Sequence, residues 1–175
     1  MKSFRELLGL GDDPLLKQAD TLVQVAEMNA ITAFKPLLKK FSFLREVDEE
    51  RWAFILTIAS VFIAVNQLAN LGLGENRQRK LMGRVGAKLI QWDQTNGRRG
   101  FEDCASFYER TYNALTSEGG DPRFFASDPL GYWVVWNVLG QPAESEEELR
   151  LVRTVGAKIH RTFSNWWKER SNSRH

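Results

Sequence analysis

The feature that most constrains this sequence is an uncharged run from Trp52 to Leu71, which reads WAFILTIASVFIAVNQLANL. Its first 14 residues place apolar side chains all round a helix, a pattern typical of a helix enclosed by protein or by lipid. The run also has the length of about 20 residues that a bilayer span requires. Asn66, Gln67 and Asn70 interrupt it near one end, which favours a buried core helix over a membrane span. We therefore expect other helices to pack around residues 49–71.

Start and stop signals divide most of the chain into helices. Asp48 is suited to cap the central helix and Gly72 to end it in the left-handed conformation. Ser145 and Glu148 form a capping box for a long last helix, and Pro36 is expected to interrupt the helix that begins after Asp13. The sequence thus predicts an all-α fold, a single bundle of about six helices. A short first turn begins at Ser3 and stops at Gly9 or Gly11. The predicted helices after it are 14–34, 49–71, 76–93, 101–115, 130–139 and 145–169.

The segment 130–139 is open to two interpretations. Tyr132, Trp133 and Trp136 lie among valines, and this composition favours a strand. A single strand would have no partner, because no second alternating run is present in the sequence. We therefore prefer a short buried helix that ends at Gly140, with a strand as the alternative.

A four-residue motif occurs twice, 70 residues apart, as Val85-Gly86-Ala87-Lys88 and as Val155-Gly156-Ala157-Lys158. Each copy lies within an amphipathic helical pattern, and each follows an apolar segment that ends in Leu-Gly. One interpretation is a duplicated helical hairpin with pseudo-two-fold symmetry, and the other is coincidence. Glycine inside a helix costs about 1 kcal/mol relative to alanine, so we expect close backbone contact with a neighbouring helix at both Gly86 and Gly156.

The residues that usually carry catalysis are scarce. The sequence contains one cysteine, Cys104, and two histidines, His160 and His175, which excludes a multi-cysteine or His-rich metal site. Cys104 falls on an apolar helix face, where a buried inert thiol is more common than a nucleophile paired with His160. No phosphate-binding loop or hydrolase motif is present. We predict no catalytic residue, metal or cofactor, and an enzyme would have to use acids such as Asp93 and Glu109.

Two groups of polar residues are candidate binding sites. Asn66, Gln67 and Asn70 form the polar end of the central helix, which either meets water or lines a small pocket with Trp92 or Trp136. Basic residues also form stripes on two helices, where they could bind phosphate or anionic lipid, although a solvated outer face is the preferred interpretation. The two stripes comprise Arg77, Lys80, Arg84 and Lys88, and Arg150, Arg153, Lys158, Arg161 and Lys168.

Adjacent tryptophans near the end of the chain, Trp166 and Trp167, could extend an apolar patch beyond the bundle. Exposed apolar patches of this kind are typical of docking surfaces. We therefore include both tryptophans among the candidate binding residues.

Length and charge limit the remaining alternatives. The 175 residues suffice for one domain, 1–175, in which only the tail 171–175 is expected to fray. Lys and Arg number 24 against 22 Asp and Glu, a balance that does not favour a nucleic-acid binder. We expect a cytoplasmic, non-enzymatic interaction or regulatory module that binds a protein or forms a homodimer. The alternative is a binder of a hydrophobic ligand or an anionic membrane surface.

Overall fold

The computed structural model describes residues 13–116 and 128–168. These residues form six α-helices and two short 3₁₀ segments, and none of them lies in a strand, which confirms the predicted all-α bundle. The predicted first turn, which ends at Gly9 or Gly11, and the tail 171–175 lie outside the described residues. The helices are α1 (Pro14–Lys40), α2 (Glu49–Asn66), α3 (Glu75–Trp92), α4 (Gly97–Thr116), α5 (Asp128–Leu139) and α6 (Glu146–Phe163).

Helix α2 is the centre of the bundle, as predicted. The carboxylate of Asp48 caps it by accepting the backbone N–H groups of Glu50 and Arg51 at 3.2 and 3.3 Å. Every residue from 55 to 64 is buried, and α1, α5, α6 and α4 all contact the helix. A 3₁₀ segment, Gln67–Leu71, follows α2 and ends at Gly72. Gly72 adopts the left-handed conformation, with a φ of 63°, which glycine accepts without steric cost. By length and composition residues 49–71 could cross a membrane, but 67% of the most apolar window is buried inside the bundle.

Two indole groups attach neighbouring elements to α2. Trp52 donates its Nε1–H to the carbonyl of Ala30 on α1 at 3.0 Å, and Trp167 donates to the carbonyl of Ala64 at 2.6 Å. The predicted exposed patch at Trp166 and Trp167 is therefore wrong, since these side chains are 8% and 3% exposed. Helix α6 ends at Phe163 rather than near 169, and the turns that follow fold both tryptophans back onto the core.

Helix α1 continues through Pro36, where we expected it to stop. Pro36 is exposed, so the carbonyl of Thr32 that loses its helical donor can bond to water. Phe34 and Leu37 are buried on either side of the proline, and their packing continues the helix to Lys40. The penalty for proline is therefore outweighed by burial in the core.

Segment 130–139 is helical, as preferred over the strand, and it packs closely on α6. The carbonyl of Val152 lies so near Gly131 that a Cβ atom at position 131 would collide with it. The backbone nitrogen of Gly156 would lie 3.2 Å from the same Cβ. The predicted close contact at Gly156 is therefore confirmed, with Gly131 as the unpredicted neighbour.

Candidate functional site

An apolar groove of about 530 Å³ runs between α3 and α4. This volume lies within the range of about 300 to 1,000 Å³ that is usual for binding sites. Helix α3 supplies one wall, α4 the other, and Val65 at the end of α2 contributes to the base. The lining residues are Val65, Met82, Gly83, Val85, Gly86, Ala87, Leu89, Ile90, Arg98, Phe101 and Glu102.

Helix α3 exposes a second apolar face beside the one that it buries. Leu81, Val85 and Leu89 are at most 3% exposed and pack in the core. Met82 and Ile90 lie one position later along the helix and are 50% and 44% exposed. Large apolar side chains this exposed on a helix that already has a buried face indicate a surface that could be covered by another molecule.

The glycines of this face have open space in front of them. Within 4 Å, a Cβ atom added at Gly83 or Gly86 would meet no atom of the described chain apart from the local α3 backbone. The predicted close contact at Gly86 is therefore wrong, because no neighbouring helix of the described bundle covers that side of α3. The space in front of Gly86 is instead part of the groove.

Helix α4 provides the rigid wall of the groove. Phe101 is half-buried and packs edge to face on Phe62 of α2, with ring centroids 5.9 Å apart. The Arg98 guanidinium donates to Glu102 at 2.8 Å, and this exposed pair lies at the rim. The groove thus has an apolar base and a charged margin.

Two arginines of the basic stripe of α3 form ion pairs with α1. Arg77 donates to both carboxylate oxygens of Asp13 at 2.8 and 3.0 Å, and Arg84 makes the same two-bonded contact with Asp20. These hydrogen bonds lower the pKa of Asp13 and of Asp20 below their usual range. Lys88 donates to Gln91 at 3.2 Å. Two of the four positive charges of this stripe are therefore neutralised by carboxylates at α1.

The basic face of α6 is in a different situation. Arg150, Arg153 and Arg161 are exposed, Lys158 is half-buried, and none of the four makes an ion pair with the described part of the chain. None of them lines the groove between α3 and α4. The structure thus separates the two predicted basic stripes, one paired with α1 and the other facing solvent.

The polar end of α2 meets water. Asn66 and Asn70 are exposed, Gln67 is half-buried, and the Asn70 amide donates to the Gln67 side chain at 2.8 Å. Trp92 instead stacks on Phe54, near the opposite end of α2, with ring centroids 5.4 Å apart. The pocket predicted between these amides and Trp92 is therefore not formed. Trp136 is 43% exposed and packs edge to face on Phe107 of α4.

The residues that could have served in catalysis, Cys104, His160, Asp93 and Glu109, lie in environments that do not favour it. Cys104 is fully buried, and burial raises the pKa of its thiol well above the usual value, which is opposite to what a nucleophile needs. Burial lowers the pKa of His160, whose Nε2 has no hydrogen-bond partner among the residues that the structure describes. Asp93 caps the turn before α4 by accepting two backbone N–H groups, and Glu109 is exposed. Within residues 13–116 and 128–168, no cluster of three or more His, Cys, Asp or Glu could hold a metal.

The comparisons with known proteins identify no relative. No protein-family model matches the chain, and neither a curated protein nor a solved structure is significantly similar to it. The function must therefore be inferred from the groove and its residues.

Sequence reasoning missed the groove because it assigned only one apolar face to α3. Met82, Gly86 and Ile90 recur every four residues, which is the spacing of one helix face. That signal is visible in the sequence beside Leu81, Val85 and Leu89. The sequence does not show that one row is covered by the bundle and the other is open.

Proposed function

We propose that this protein is a non-enzymatic interaction module of the cytoplasm, and that the groove between α3 and α4 binds an apolar helix face of a protein. The observation that carries the proposal is the exposed pair Met82 and Ile90 beside a groove of about 530 Å³. Apolar area removed from water contributes roughly 25 cal/mol per Å², so covering these two side chains favours association.

The shape of the groove suits a helix as the bound element. Two helices joined by a short turn leave a furrow along which a third helix can lie, with its anchors at i, i+3 or i+4 and i+7. Gly83 and Gly86 have no side chains to hold a partner backbone away from α3. The charged margin at Arg98 and Glu102 can form polar contacts around the apolar centre, as the rims of protein interfaces usually do.

The proposal is tested by comparing which proteins the full-length chain retains when its groove is altered. Met82→Glu and Ile90→Glu place a charge where an apolar partner would pack. Met28→Glu instead alters a somewhat more exposed apolar residue of α1 outside the groove. We expect a stoichiometric protein, either a second copy or another chain, to be lost with the groove variants and kept with Met28→Glu. Retention that is equal for all three variants would contradict the proposal.

A second candidate function rests on α6. Its exposed Arg150, Arg153 and Arg161 make no ion pair within the described residues, so this face could bind an anionic surface such as the headgroups of a membrane. Flotation with anionic vesicles at low and high salt tests it. Salt-sensitive binding that Arg153→Glu weakens and Met28→Glu leaves unchanged would support it, and no binding at either salt would remove it.

A further inference from the structure

We infer that the occupant of the groove is a second copy of this chain, an inference that rests on the proposed function. The second copy packs antiparallel along α3, about a two-fold axis at Gly86. The reason lies in the symmetry of the exposed face of α3. In an antiparallel pair of identical helices, a residue that lies n positions before the axis meets the residue n positions after it. A face that is complementary under this exchange can bind itself.

The apolar residues of the face satisfy this condition. Met82 lies four residues before Gly86, and Ile90 lies four residues after it. In the antiparallel dimer, Met82 of each copy therefore packs against Ile90 of the other. Gly86 meets the second copy's Gly86. In residues 13–116 and 128–168, no atom outside the local α3 backbone lies within 4 Å of a Cβ added here, which leaves room for the two backbones to approach.

The charged residues at the two ends of this face are also complementary under the two-fold exchange. Arg79 lies seven residues before Gly86, and Asp93 lies seven residues after it, so both stand close to the same side of the helix. Each Arg79 would meet the second copy's Asp93. Arg79 is exposed and makes no ion pair within the described residues, in contrast to Arg77 and Arg84. Asp93 uses Oδ1 to cap its turn, which leaves Oδ2 for a new partner.

A parallel dimer of α3 would not bring Arg79 of one copy to Asp93 of the other. In a parallel dimer Met82 would meet Met82, Arg79 would meet Arg79 and Asp93 would meet Asp93, so like charges would face each other at both ends of the contact. Like charges placed together across an interface oppose association. The arrangement of Arg79 and Asp93 therefore selects the antiparallel dimer.

Equilibrium sedimentation of the full-length chain tests this dimer. We expect a reversible dimer whose dissociation constant rises by at least about tenfold for Ile90→Glu, because the new carboxylate would be buried without a partner. Ile31→Glu, at a residue of α1 that is 55% exposed, should leave the dimer unchanged. Arg79→Glu should weaken the dimer, and adding Asp93→Asn, which keeps an oxygen for the turn, should restore part of the loss. Circular dichroism of each variant verifies that the helices remain folded.

The results separate this inference from the proposed function. A monomer at every concentration, or a dimer that Ile90→Glu does not weaken, overturns the inference. If the chain is monomeric but retains another protein only when Met82 and Ile90 are intact, the groove is a binding site and its occupant is not a second copy. If neither self-association nor such a protein is found, the proposed function fails as well.

Discussion

The segment Val85-Gly86-Ala87-Lys88 of α3 and the segment Val155-Gly156-Ala157-Lys158 of α6 have the same residues, and each lies past the middle of its helix. Both valines are 1% exposed and both alanines are exposed, so each segment turns the same side to the core. The glycines differ. Gly156 is buried against Gly131 of α5. A Cβ atom added at Gly86 would instead meet no described atom outside the local α3 backbone within 4 Å, and Gly86 lines the groove.

A glycine inside a helix can therefore permit close packing within the chain or leave an open surface. Which of the two occurs depends on whether a neighbouring helix covers it. At Gly156 the missing side chain permits two helices of the same chain to pack. At Gly86 it leaves a surface that a second molecule can approach closely. Identical local sequence therefore gives a structural contact in one helix and a candidate binding surface in the other.

The largest expected effect is at the α5–α6 contact. Gly131→Ala would place a Cβ against the carbonyl of Val152, which belongs to a helix backbone and cannot move alone. Overpacking of this kind costs about 1 to 3 kcal/mol, and Gly156→Leu should cost at least as much. Thermal denaturation should show melting temperatures clearly below that of the wild type for both variants. Unchanged melting for both would show that α5 and α6 do not pack closely here.

The matched change in α3 should act in the opposite direction. Gly86→Ala adds a methyl group in open space and removes a poor helix former, so we expect stabilisation of up to about 1 kcal/mol. The measurement is a urea denaturation curve at low protein concentration in the Ile90→Glu background, where we expect self-association to be weakened. If Gly86→Ala lost as much stability as Gly131→Ala, the proposed difference between Gly86 and Gly156 would be contradicted.

The two helices also begin differently, and this difference gives a pH dependence. In α6, Glu148 accepts the backbone N–H groups of Ser145 and Glu144, which lowers the pKa of its carboxyl, whereas Gly74 at the start of α3 offers no side-chain cap. A lowered folded-state pKa stabilises the fold above the unfolded value, near pH 4.5, and this contribution is lost as the pH falls through the folded-state pKa.

Glutamine keeps an oxygen that can accept these N–H groups but lacks the negative charge that favours a helix N-terminus. We therefore expect Glu148→Gln to reduce stability by about 0.3 to 1 kcal/mol near neutral pH, and by less as the pH falls below 4.5. Urea denaturation from neutral to acid pH measures the difference between the two proteins. Ser145→Ala should reduce stability by a similar amount, because it removes the other half of the capping box. A difference between wild type and Glu148→Gln that grows on acidification would contradict the assignment.

The smallest effect is expected for the ion pairs between α1 and α3. Asp13→Asn keeps an oxygen to cap α1 at Leu15 but removes the charge that faces Arg77, so only the exposed pair is lost. Such pairs contribute about 0.2 to 1 kcal/mol, and added salt should diminish the difference. Arg150→Gln on α6 is the control and should leave stability unchanged, because Arg150 has no ion pair within the described residues.

The sequence predicts the bundle well because its strongest signals are local. The apolar run of α2, the Asp48 cap and the capping box at Ser145 each define a helix without reference to the rest of the chain. Pro36 misleads because its local penalty is smaller than the gain from burying Phe34 and Leu37.

The sequence predicts the site poorly because exposure is a property of the whole bundle. Trp166 and Trp167 have the composition of a docking patch, yet a turn after Phe163 buries them. Met82 and Ile90 have the spacing of a core face, yet no described helix covers them. Whether Gly86 and Gly156 descend from a duplicated hairpin remains a prediction from the repeated motif.

The central claim, that α3 binds a second copy about Gly86, is tested most directly by disulfide formation in Gly86→Cys. Near a two-fold axis through this position the two cysteines would come within the Cα separation of about 4.4 to 6.8 Å that a disulfide needs. Cys104 is buried and should not compete. We expect rapid formation of a covalent dimer in mild oxidant, and slow formation for Gly74→Cys at the exposed start of the same helix. Equal rates for the two variants, or no covalent dimer of Gly86→Cys, would contradict the claim.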